Sequence, residues 1–201
     1  MSTAIAERTT GLDVGVYRFT IAQFEKMVDA GVFPDGLRVE LLDGRVVVRT
    51  KHEPHSFCVG AIGDSLRPFL TPEFHLREEK SSRSGRYWLP EPDIAIARGA
   101  RVDYRRRRQP ELRQLVLVVE VADTTYATDR GVKWLKYAAS RIPVYWIVRL
   151  PKNVVEVHTR PAGKGASARY RECDIFGREA TVPIVIDGVA HGNLDGSSIL
   201  P

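Results

Sequence analysis

The chain has 201 residues, 43% of them hydrophobic and 27% charged, with 16 Gly and 12 Pro, which is the size and mixture of one ordinary globular domain. Such a chain can bury a core without staples, and its two cysteines, Cys58 and Cys173, are too few for a disulfide scaffold or a cysteine-based metal site. Its longest apolar runs, Leu115–Val119 and Ile142–Val148, fall well short of the roughly 20 residues a membrane-spanning helix needs. The first residues to Gly11 hold no apolar leader, so a soluble, cytoplasmic domain is expected.

Residues 1–16 lack periodicity and read as a flexible tail ahead of a single domain over 17–201. Thr20 and Gln23 have capping-box spacing, and Ile21, Phe24, Met27 and Val28 form one stripe, which predicts a helix over 20–30 ended by Gly31. Asp43-Gly44, between Arg38–Leu42 and Arg45–Arg49, predicts a two-residue hairpin. A second helix is expected over Pro54–Phe69, then strands near Phe74–Lys80 and Tyr87–Ala97. Residues 98–108 hold six Arg and Tyr104. They read either as a solvated loop between strands or as a phosphate-contacting loop, in keeping with a net charge of +5.

Leu115–Val121 is a continuous apolar run of strand length, the pattern of a strand covered on both faces. Asp129–Ser140 turns helical, Pro143–Leu150 returns to strand, and strands at Val154–Thr159 and near 167–172 and 181–187 make the C-terminal third β-rich. The order predicts an α/β (α+β) fold with helices against a sheet. Gly163-Lys164-Gly165 lacks the spacing of a phosphate loop.

Three carboxylates stand in apolar strand surroundings: Glu40 in Val39–Leu42, Asp93 between Pro92 and Ile94, and Glu120 five residues into the Leu115 run. A buried carboxylate costs several kcal/mol unless paired or bound to a cation. Three near strand ends could converge on a hard cation such as Mg²⁺. A lone strand Glu can equally face solvent or pair with Arg, and alternation suits that for Glu40, with Val39 and Leu41 facing inward. It suits Glu120 poorly. Asp129, Lys133 and Tyr137 follow at intervals of four on one helix. They form a surface ion pair, or they turn an ammonium towards the carboxylates.

His52-Glu53-Pro54-His55 is one residue short of the HExxH zinc motif, and Pro54 blocks its register. Glu91-Pro92-Asp93, Val119-Glu-Val-Ala-Asp-Thr-Thr125, Asp129-Arg-Gly-x-Lys133-x-x-x-Tyr137 and Ile142-Pro-x-Tyr-Trp-Ile-Val148 occur in one order. Together with the Glu40-Leu-Leu-Asp-Gly-Arg hairpin and His55, this ordered set resembles the Uma-type restriction endonucleases, a branch of the PD-(D/E)xK nuclease superfamily, over residues 17 to about 161.

The resemblance implies a restriction-endonuclease-like core, a central mixed sheet flanked by helices, here with a β-rich C-terminal extension. Carried onto this chain, it makes Asp93, Glu120, Glu40 and the Val121 carbonyl ligands of Mg²⁺ or Mn²⁺, with Lys133 as the catalytic lysine. His55, Asp129 and Tyr137 become auxiliary residues. Ala122 stands where the superfamily lysine is usual, and Val144 and Arg149 stand where the family commonly has acidic residues. The implied activity is metal-assisted hydrolysis of DNA phosphodiesters by a homodimer or higher oligomer. Lys80, Arg83, Arg86, Arg105 and Arg106 are candidates for tracking the backbone. The competing expectations are a nucleic-acid-binding module without turnover and an oligomeric interaction protein.

Overall fold

The computed structural model describes residues 15–49, 52–105 and 109–201, and the chain forms two compact units. Arg106 and most of the expected N-terminal tail lie outside the described residues. Among those described, no helix is long and apolar enough to cross a membrane.

The first unit, within residues 1–50 and 83–90, holds helix α1 (Ile21–Asp29) and the antiparallel hairpin β1 (Arg38–Leu42) and β2 (Arg45–Arg49). The capping box is formed: Gln23 N–H donates to the Thr20 hydroxyl at 3.2 Å, and the Gln23 side chain meets the Thr20 amide at 2.9 Å. The hairpin turns at Asp43 (φ 51°) and Gly44 (φ 79°), as a two-residue turn with positive φ at both positions demands. Glycine is required at position 44, because a Cβ there would sit 2.7 Å from the Arg18 Cβ. Ile21, Phe24, Leu41 and Leu89 make the unit's small core.

The second unit, within residues 51–82 and 91–201, holds helix α2 (Glu53–Leu66) and a six-stranded mixed sheet in the order β3-β4-β5-β6-β7-β8. These strands are β3 (Phe74–Glu78), β4 (Ile94–Arg98), β5 (Leu115–Ala122), β6 (Val144–Arg149), β7 (Val154–Ala162) and β8 (Arg169–Gly177). Only β5 and β6 pair parallel, which requires a crossover. That crossover is a helical turn α3 (Tyr126–Thr128), a π-helical segment (Asp129–Lys133) and α4 (Trp134–Ala139). A hairpin, β9 (Thr181–Ile186) and β10 (Val189–Asp195), and a short helix α5 (Gly196–Ile199) close the chain.

Every residue of β5 is buried, as its unbroken apolar run predicts. Leu117, Val119 and Val121 join α2 residues Cys58, Val59 and Ile62 in one core. Val118 and Ala122 face the opposite way, with Tyr137 and Ala138 of α4. Strand β6 splits the same way, Trp146 to the first core and Tyr145 and Ile147 to the second. Glu120 therefore takes an α4-facing place in the period-two alternation.

Three expectations shift. The strand expected at Tyr87–Ala97 begins only at Ile94, because Pro90 and Pro92 cannot donate to a ladder. The second helix ends at Leu66 and continues as a 3₁₀ turn over Arg67–Phe69, where Pro68 removes an N–H. The strand expected near 167–172 runs instead from Arg169 to Gly177, and β10 had no clear alternation in the sequence.

Candidate active site

The expected carboxylates meet where β4 begins and β5 ends. Ile94 pairs with Val119 antiparallel, so continuing that register sets Asp93 beside Glu120. Asp93 and Glu120 are 2% and 1% exposed. The Asp93 carboxylate accepts the Val121 amide at 2.7 Å, a charge-assisted bond that ties it to the end of β5.

The Glu120 carboxylate is held from the crossover. Lys133 Nζ lies 3.1 Å from Oε2, and the Tyr137 hydroxyl donates to Oε1 at 2.7 Å. Lys133 also faces Asp129 at 3.5 Å, and Asp129 accepts the Thr125 hydroxyl at 2.6 Å. The Asp129 carbonyl accepts the Tyr145 hydroxyl at 2.9 Å. Lys133 is 3% exposed and Tyr137 fully buried, so Asp129–Lys133 is no surface ion pair.

The π turn accounts for this convergence. In a regular α-helix each four-residue step overshoots a full turn by about 40°, so residues at i, i+4 and i+8 drift round the axis. The wider π turn over Asp129–Lys133 undershoots, and the following α turn restores the aim. Asp129, Lys133 and Tyr137 thus stay in one row pointing at Glu120.

On the other side of Asp93 stands α2. His55, in the first turn of that helix, brings Nε2 to 3.2 Å from Asp93 Oδ2. Its Nδ1 is buried with no hydrogen-bond partner among the described residues. Glu79 follows β3 with φ 50°, unusual for a residue with a side chain, and its amide donates to the Asp93 carbonyl at 3.0 Å. Ligand atoms of His55, Glu79 and Asp93 all lie within 4.8 Å of one another. Two carboxylates and an imidazole so close, beside the buried Glu120, are a donor set that fits a hard divalent cation such as Mg²⁺ or Mn²⁺.

Glu79 was not found from the sequence. It sits in the charged stretch Arg77–Lys80, and the left-handed backbone that re-aims it leaves no signature in residue type. Glu156 and His158 on β7 were missed too, although Glu156 interrupts an apolar run as Glu120 does. With Cys173 they form a second group of potential ligands within 4.8 Å. That group suits a cation poorly, because Arg149 at 3.1 Å and Arg130 at 3.8 Å already hold Glu156.

The remaining expected residues are distributed over both units. Glu40 is buried on β1 of the first unit, and Arg83 and Arg86 belong there too. Lys80 and Arg105 lie in the second unit, lining one groove on the edge strand β3. Arg149 packs its guanidinium 3.8 Å from the Tyr126 ring centre as well as pairing with Glu156.

Comparison with known proteins agrees with this architecture. The Uma2 family model, described as "Putative restriction endonuclease", matches residues 21–190. No curated protein matches the chain. Among solved structures, the chain is similar to a "putative nuclease belonging to DUF820" from Anabaena variabilis, with a TM-score of 0.61 and 16% identity over 90% of this chain and 97% of that one. At that identity the likeness speaks for the fold alone.

Proposed function

The chain belongs to the Uma2 family, and from that premise we propose that it is a divalent-metal-dependent endonuclease that hydrolyses phosphodiester bonds of DNA. The observation that carries this reading is the meeting of Asp93 and Glu120 at adjacent strand ends, with Lys133 3.1 Å from the second carboxylate. In this reading Asp93, Glu120 and Glu79 hold the metal with the Val121 carbonyl, and His55 is a ligand or a clamp on Asp93. Glu40 enters as an acidic residue needed for activity on the strength of the sequence resemblance.

Mg²⁺ or Mn²⁺, when bound, supplies a more acidic water and neutralises charge on the phosphate. Lys133 holds the attacking water or a non-bridging phosphate oxygen, since a lysine ammonium is a compact donor on a flexible stem. Tyr137 fixes the Glu120 carboxylate by its hydrogen bond, and Asp129 keeps the Lys133 ammonium in line. Burial of the whole row excludes bulk water and strengthens each electrostatic contact. A homodimer is part of the same reading and is checked by light scattering.

The test is nicking of supercoiled plasmid with Mg²⁺ or Mn²⁺ by the wild type, Asp93→Ala and Lys133→Ala. Metal-dependent nicking lost in both variants supports the proposal. The absence of cleavage by any form, with DNA binding that weakens as salt rises, would replace it with a binding module that keeps the nuclease fold.

A further inference from the structure

Beside the catalytic end, the edge strand β3 carries a groove of about 660 Å³ that the hydrolytic chemistry does not use. Five basic side chains line it, Arg67, Arg77, Lys80, Arg101 and Arg105, against one carboxylate, Glu78, which Arg67 already pairs. Its floor is unusual. His75 and Arg77 are each 8% exposed, yet His75 Nε2 and Arg77 Nε have no hydrogen-bond partner among the described residues.

Buried polar atoms are nearly always partnered, so two orphans lining one groove are open to water or to a ligand that displaces it. Their roles differ. The other ring nitrogen, Nδ1, sits 2.8 Å from the Gly99 carbonyl and must donate to it, which leaves Nε2 of the neutral ring as an acceptor. Arg77 Nε is a donor. A ligand that partners both atoms offers an acceptor and a hydrogen-bond donor, as a nucleotide does with its phosphate and its base or sugar.

Tyr104 completes the chemistry. Its hydroxyl donates to the Arg98 carbonyl at 2.6 Å and accepts the Gln114 amide at 3.1 Å, which fixes the ring. That ring lies 4.8 Å from His75 and 5.7 Å from the Arg77 guanidinium. An aromatic platform among cations is the usual means of holding an unpaired base. The groove also neighbours the site along the chain, because Arg77 and Lys80 of its lining stand on either side of Glu79.

We propose that this groove binds a single-stranded stretch of nucleic acid flanking the cut, with phosphates on Arg77, Lys80, Arg101 and Arg105 and a base against Tyr104; as a flanking subsite it rests on the nuclease reading. Binding of a labelled short oligothymidylate to the full chain, followed by fluorescence anisotropy in EDTA over a salt series, tests it without requiring cleavage. Arg101→Gln/Arg105→Gln should bind about tenfold more weakly, with a salt slope shallower by about 1.4, two phosphates at about 0.7 each. Tyr104→Leu should weaken binding about tenfold with the slope unchanged.

Both arginines are exposed, so an unchanged melting temperature confirms an intact fold in the double variant. Wild-type affinity and slope in both variants would overturn the proposal, as would tighter binding of a duplex of the same length. Glu120→Gln separates the two readings. If no form cleaves DNA but the groove variants lose the oligonucleotide, the groove stands and the nuclease reading falls. If metal-dependent cleavage is lost in Glu120→Gln while oligonucleotide binding is indifferent to the groove variants, the nuclease reading stands and the groove falls.

Discussion

Glu120 and Glu156 occupy one transverse row of the same sheet, because Ile147 of β6 stands opposite both. Two strand spacings put them about 10 Å apart on the same face. Both are almost completely buried, 1% and 3% exposed, and both accept a tyrosine hydroxyl, from Tyr137 at 2.7 Å and from Tyr126 at 3.0 Å. Their cations differ. Glu156 is enclosed by Arg149, Arg130 and the His158 ring, whereas Glu120 meets a lysine from a helix and lies beside Asp93.

A buried carboxylate is thus no site by itself. Two guanidiniums close Glu156 into a structural knot, and a metal arriving there would meet two fixed positive charges. On the proposed reading, the ammonium at Glu120 would turn to a phosphate once a metal is bound, on the flexible stem of a lysine. Isosteric substitution tests whether the two carboxylates differ in this way. Glu120→Gln should reduce metal-dependent nicking at least about a hundredfold, since it removes a ligand of the proposed metal.

Glu156→Gln should leave nicking within a few-fold of wild type but cost about 2–3 kcal/mol, or roughly 5–10 °C in melting temperature. It strands two arginines, although their partial exposure softens the usual cost of breaking a buried pair. Circular dichroism melts beside the nicking assay read both effects. If Glu156→Gln abolished cleavage without lowering the melting temperature, the division of roles would be wrong.

The matched phenols repeat the contrast at smaller scale. Tyr137→Phe should slow nicking about tenfold, because Glu120 loses the bond that fixes it. Tyr126→Phe should cost about 1 kcal/mol of stability and leave the nicking rate alone. Single-turnover nicking at saturating metal separates the two.

The smallest effect is in pH. Burial, with Arg130 adding to it, lowers the His158 pKa below the ordinary value, and burial lowers that of His75. The unfolded chain then binds more protons than the folded one below about pH 6.5, so stability is complete above that value and declines as pH falls towards the folded pKa values. Melting temperature followed from neutral pH downwards should fall, and His158→Asn should fall less steeply. A steeper fall in His158→Asn would mean that Glu156 holds the ring protonated.

The sequence made much of this legible. An unbroken apolar run identified β5 because burial on both faces removes alternation, and Glu120 stood out for the same reason. The Asp129, Lys133, Tyr137 series was readable as one face, although the π turn that aligns it was not, since no residue type encodes it. Glu79 stayed hidden because a positive φ on a glutamate is imposed by its surroundings. Glu156 was passed over because β7 is half exposed towards its end and its apolar run is short.

The π turn has a genealogical consequence. A helix that gains one residue acquires such a turn, and one that loses it reverts to a regular coil with everything upstream swung by about 100°. Gly131 lies inside that turn with nothing within 4 Å of where its Cβ would be. On the proposed reading, a catalytic lysine drawn from this helix rather than from position 122 needs no rebuilding of the sheet. The gain or loss of a single codon decides whether Lys133 faces Glu120 or turns away.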